Sequence, residues 1–172
     1  MKKFLIVFTT VSMLFFTASP LLAAENSITT NPLSLMFGIA NLDYEHSLNE
    51  RFSLNVAANN FSAEGDDFEL DGSLYSLGGK YYFNEAQSGS YIGLNYHKLD
   101  IECEGDDDNF FAELFEKVLD QGSVNGISLA FGYRKITGSR FTFDLGASMN
   151  FFEVNDDVVE FPMYWAAFGY GW

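Results

Sequence analysis

His46 and His97 are the side chains best suited to proton-transfer chemistry, and the chain has only these two histidines. Acyl hydrolysis or transfer needs a nucleophile, a histidine base and an orienting carboxylate in mutual reach. His46 and Ser47 are adjacent, so on a strand they point to opposite faces. His97 is expected to face inward near the outer end of its strand, with Asp100 close in sequence and no serine placed beside it. The acidic run from Glu104 to Asp108 lacks the D-x-D-x-D-G spacing of a Ca²⁺ loop. These residues predict no catalytic group, no cofactor and no metal site.

The elements that carry them are legible from composition and pattern. The 172 residues fit one domain, and a 48% hydrophobic share excludes intrinsic disorder. Nine Lys and Arg against 24 Asp and Glu give a net charge of −15, which argues against a nucleic-acid partner. Lys2 and Lys3, the apolar stretch from Phe4 to Phe16 and the small residues Ala23 and Ala24 predict a signal peptide over residues 1–24. Residues 25–172 then form one domain without an internal disulfide, because Cys103 has no second cysteine to pair with.

That domain alternates with period two. Ile127, Leu129, Phe131 and Tyr133 share one face, and Phe141, Phe143, Leu145, Ala147, Met149 and Phe151 continue the pattern on the next strand. Between them lie mostly Gly, Ala, Ser and Asn, with scattered charges. A soluble barrel buries its apolar face, whereas a membrane barrel shows that face to lipid. Small residues on the second face suit the inside of a narrow cylinder. The sequence therefore predicts an all-β, closed, antiparallel, eight-stranded transmembrane barrel, with a soluble periplasmic barrel as the competing reading. Strands are expected near 27–37, 39–48, 51–61, 70–83, 89–101, 122–136, 139–153 and 159–172, with a tight turn at Gly38.

Tyr164, Ala166, Phe168, Tyr170 and Trp172 form an alternating, aromatic-rich C-terminal strand ending in Trp. With Tyr81-Tyr82-Phe83 and Asn41 to Glu45, this resembles the small outer-membrane barrels, the OmpX-like proteins and the OmpA membrane domain. The resemblance covers residues 25–172 and includes members without an assigned function. It implies the outer membrane of a Gram-negative bacterium, surroundings of lipid and lipopolysaccharide, and a monomer. Tyr164, Phe168, Tyr170 and Trp172 would be the signal read by the barrel-assembly machinery.

On this topology, the long loops at 62–71, 100–121 and 153–160 face outward and carry most of the acids. The middle loop holds an amphipathic helix in which Phe111, Leu114, Phe115 and Val118 share a face, Asp108 caps and Glu113 pairs with Lys117. The inner face collects Asp43, Glu45, Lys80, His97, Arg134 and Asp144, expected to form an ion network because unpaired buried charge is costly. If Ile136 faces Arg140, Arg134 and Asp144 become diagonal neighbours. The function read from these features is a non-enzymatic barrel serving envelope integrity, adhesion or surface binding. The alternatives are a lipid-modifying acyl hydrolase or acyltransferase, and a narrow channel.

Overall fold

A computed structural model describes residues 24–64, 68–105, 122–154 and 157–172. Apart from Ala24, the leader expected over 1–24 lies outside these residues, as does the expected loop helix with Phe111, Leu114, Phe115 and Val118. The elements are β1 (Asn26–Thr30), α1 (Pro32–Leu35), β2 (Ile39–Ser47), β3 (Phe52–Glu64), β4 (Phe68–Tyr82), β5 (Gly89–Gly105), β6 (Ser123–Ile136), β7 (Phe141–Val154) and β8 (Asp157–Gly171). Successive strands pair antiparallel, and β1 also pairs with β8. The result is a closed barrel.

Period-two alternation sets the two faces. On β6, Val124, Ser128, Ala130 and Arg134 are buried while Ile127, Leu129, Phe131 and Tyr133 are exposed, Leu129 by 60%. Leu54 and Val56 on β3, Leu77 on β4 and Ile92 and Leu94 on β5 continue that outward belt. A soluble barrel would bury these residues, so the belt is the lipid face of a transmembrane barrel. No helix among the described residues is long and apolar enough to cross a membrane. Crossing by strands is the arrangement that pairs backbone groups where water is absent.

Three local expectations need correction. The strand expected over 27–37 ends at Thr30, and Pro32 opens the single turn α1, with the Asn31 side chain accepting a hydrogen bond from Leu33 N. Proline suits a first helical position because its missing N–H has no partner to lose there. Gly38, at φ +76°, then turns the chain into β2. Next, Ile136 faces Thr142 rather than Arg140, because Arg140 adopts φ +67° within the turn. That register sets Arg134 directly opposite Asp144. Last, strands run well into the expected outer loops, with β3 reaching Glu64, β5 reaching Gly105 and β8 starting at Asp157. Continuing the ladder keeps backbone donors and acceptors paired beyond the apolar belt.

Candidate functional site in the barrel lumen

Inward-facing residues of all eight strands converge near the end that carries the short turns. Glu45 and Asp144 are its two fully buried anions. Glu45 Oε1 accepts from Ser53 Oγ at 2.6 Å and Tyr82 Oη at 2.7 Å. Its Oε2 lies 2.6 Å from Lys80 Nζ and 2.7 Å from Arg134 Nη1. Asp144 Oδ1 accepts from Tyr91 Oη and Trp165 Nε1, each at 2.8 Å, while Oδ2 pairs with Arg134 Nε. Arg134 Nη1 also donates to Ser27 Oγ at 2.8 Å. Thus β1 supplies Ser27, β2 Glu45, β3 Ser53, β4 Lys80 and Tyr82, β5 Tyr91, β6 Arg134, β7 Asp144 and β8 Trp165.

Each partner answers a local constraint. Arginine is suited to the centre because its fork of five donors can serve two carboxylates and a hydroxyl at once. Trp165 reaches Asp144 across Gly146, where an added Cβ would collide with the indole ring. Lys80 lies 5.1 Å from the centre of the Tyr91 ring, a cation–π contact in a site shielded from water. Asp43 sits at the margin, its Oδ1 3.6 Å from Arg134 and 3.8 Å from Lys80.

The structure therefore brings five of the six expected network residues together and leaves His97 apart. His97 Nδ1 is 2.7 Å from Ser76 Oγ, and its Nε2 is 2.8 Å from Ser128 Oγ. The expectation that no serine stands beside it is wrong, because the cross-strand register sets Ser76 opposite His97 and curvature brings Ser128 to its other ring nitrogen. Tyr82, Tyr91 and Trp165 were not foreseen as members of the ion cluster. Their inward parity with Lys80, Gly93 and Ala167 was the available signal, outweighed by the preference of aromatics for a membrane-facing role.

Between the ion cluster and the loop end lies a cavity of about 190 Å³, lined among others by Asp43, Asn55, His97, Ser128 and Trp165. Leu99, Ile101, Val124, Phe152 and Val154 form an apolar cluster at the loop end, with Phe61, Leu74 and Phe161 packed against it. Phe152 stacks on Phe161 and on the His97 ring. Among the described residues, no group of three or more His, Cys, Asp or Glu is arranged to hold a metal ion.

A family model described as a protein of unknown function, DUF3575, matches residues 5–164. The chain belongs to the DUF3575 family. No curated protein matches it. Among solved structures it is similar to Ail, the attachment invasion locus protein of Yersinia pestis, at 13% identity and a TM-score of 0.46, over 88% of this chain and 100% of that one.

On the outside of this DUF3575 barrel, Tyr164, Phe168 and Tyr170 share the lipid-facing side of β8 with Trp172 just past its end, and Tyr164 is 76% exposed. Phe168 packs against Phe141 and Phe143, and Trp172 lies beside Tyr170 and Tyr44. Toward the loops, Asp71, Asp100 and Glu102 project from β4 and β5 around a shallow depression. Hydrogen bonds from Ser123 and then Lys98 hold the Asp100 carboxyl below its ordinary pKa.

Proposed function

We propose that this protein is a non-enzymatic barrel of the Gram-negative outer membrane that supports envelope integrity and binds at the surface through its acidic rim. One observation carries the reading: a single ion cluster draws a side chain from every strand and fills the lumen at one end. Such a cylinder is a rigid platform rather than a conduit, and barrels of eight strands are ordinarily filled by side chains. The acids on the strand extensions, Asp71, Asp100, Glu102, Glu153, Asp157 and Glu160, are then what it presents outward. Lipopolysaccharide would surround the belt, and the assembly machinery would read Tyr164, Phe168, Tyr170 and Trp172. The leader over 1–24 would be cleaved on export.

The folded barrel in planar bilayers is expected to stay electrically silent, and regular stepwise conductance would overturn the platform reading. Replacing Asp71, Asp100, Glu102 and Glu153 together with Asn or Gln should abolish binding to whichever envelope or host-surface molecule a screen of the intact barrel recovers. Binding unchanged by that replacement would remove the acidic rim from the proposal. Leu129→Arg should cost about 2–4 kcal/mol of barrel stability in a bilayer, since Leu129 faces outward midway along β6.

A second reading, an outer-membrane acyl hydrolase or acyltransferase, is favoured by His97 lying between the Ser76 and Ser128 hydroxyls at a cavity. One neutral imidazole nitrogen can accept a serine proton while the other donates to the second hydroxyl. Mass spectrometry of lipid A separates the two functions. A changed acyl pattern in a deletion strain, restored by the native protein and not by Ser128→Ala, would establish the enzyme.

A further inference from the structure

β1 is too short to complete the wall. Its ladder with β2 ends at Thr29 and Asp43, and its ladder with β8 ends at Thr30 and Phe168. Beyond those rungs β2 runs on to Ile39 and β8 to Asp157, while the chain between them is α1 and its flanks rather than strand. Side chains replace the missing ladder. Asn41 Oδ1 accepts from Asn31 N at 2.6 Å, Asn41 Nδ2 donates to Asn31 O at 3.1 Å, and Thr30 Oγ1 donates to Asn41 O at 2.8 Å. The barrel thus has a seam between β2 and β8, spanned by α1.

Two cavities of opposite character meet at that seam. Outside, a groove of about 820 Å³ runs between α1 and the walls of β6, β7 and β8, lined by Leu33, Phe37, Phe131, Leu145 and Tyr164. It is continuous with the lipid-facing belt, so acyl chain is what fills it in a bilayer. Inside is the cavity above the ion cluster. Asn31, Ser34, Tyr164 and Trp165 border both.

The inner cavity calls for a donor. Asn55 is 5% exposed, and its Oδ1 has no hydrogen-bond partner among the described residues; Asp43 Oδ1 also lacks a hydrogen bond there, with Arg134 and Lys80 only at ion-pair distance. Buried acceptors left in this state are costly, and a ligand that donates to them removes the cost. Charge points the same way, since among the described residues Asp43, Glu45 and Asp144 are matched by two cations, Lys80 and Arg134. A cation complements that excess, whereas an anion opposes it. We propose that the seam admits a single-chain amphiphile from the bilayer, its tail held in the groove under α1 and its cationic amine end in the lumen beside Asp43 and Asn55.

Trp165 borders both cavities and is one of two tryptophans, so Trp172→Phe leaves it as the sole indole reporter. The experiment places this variant, otherwise full length, in phosphatidylcholine nanodiscs and titrates chain-brominated dodecylamine, with equally brominated dodecanol and dodecanoic acid as controls. Saturable quenching by the amine is expected, with half-saturation at least about tenfold below that of the acid. Asp43→Asn should shrink this preference to less than about twofold. Quenching that rises linearly and equally for all three probes reports random lipid contact and overturns the proposal, as does a preference for amine that survives Asp43→Asn. Should Asp43→Asn fail to show heat-modifiable folding, Ser34→Phe decides. Narrowing the seam should remove the saturable phase, and its persistence would refute lateral entry.

Discussion

The two ends of the lumen are built on different physics. Near the turns, directional charge-assisted hydrogen bonds converge on Glu45 and Asp144, and each strand contributes a specific partner. Near the loops, Leu99, Ile101, Val124, Phe152 and Val154 meet by non-directional apolar contact. A slip of one strand by two residues preserves which face points inward but would carry a donor past its carboxylate, leaving buried charge unpaired. The same slip in the apolar cluster exchanges one hydrophobic contact for another. The ion cluster therefore specifies register around the whole cylinder, and the apolar cluster adds burial to strands already aligned. His97, between the two, belongs chemically to neither: its partners are two hydroxyls and an aromatic ring.

The contrast can be broken most severely at Arg134. Arg134→Met leaves Glu45 and Asp144 buried without their shared cation and should cost about 3–5 kcal/mol, read as a lower urea midpoint in reconstituted barrels. An unchanged midpoint would mean that the cluster does not govern closure. Phe152→Ala should cost about 3 kcal/mol through the cavity it leaves, and should loosen the loop end alone. Amide hydrogen exchange would then rise around Leu99 and Val124 while the rungs at Lys80 and Asp144 stay protected. Exchange rising equally at both ends would merge the two regions into one cooperative unit.

Tyr91→Phe sharpens the comparison, because it deletes one donor to Asp144 and keeps the ring beside Lys80. A loss of about 1.5–3 kcal/mol is expected from a hydrogen bond to a charged acceptor, in the same unfolding assay. A loss under about half a kcal/mol would assign Trp165 and Arg134 the whole task of holding that carboxylate. The smallest effect lies on the rim. Lys98→Ala should let the Asp100 carboxyl titrate closer to its ordinary range, followed by NMR, with little change in stability. Asp100's stabilising effect is present above its unfolded pKa and disappears as pH falls through the depressed folded value, so only acidic conditions can expose it.

How much was legible varies along the chain. That Ile127, Leu129, Phe131 and Tyr133 share one face and Arg134 lies on the other follows from parity alone, because a strand's side chains alternate without regard to what lies across the barrel, and the small residues beside Arg134 mark its face as the inner one. The residues of the first hairpin were less readable. Pro32 is equally compatible with an edge strand or a helix start, and the choice depends on Asn41, which captures the backbone of Asn31 from the next strand. The serines flanking His97 escaped for the same reason, since Ser76 and Ser128 lie far from it in sequence.

Alternation and the small residues of the second face by themselves favoured an eight-stranded transmembrane cylinder over a soluble barrel and set its charges inside, since those features act through local geometry and solvent preference. Tertiary structure decided which charges touch, that three aromatics complete their coordination, that an apolar cluster occupies the opposite end, and that a short β1 leaves a seam under α1. Each of those depends on cross-strand register and on closing the sheet upon itself, relations between distant residues that no local pattern encodes.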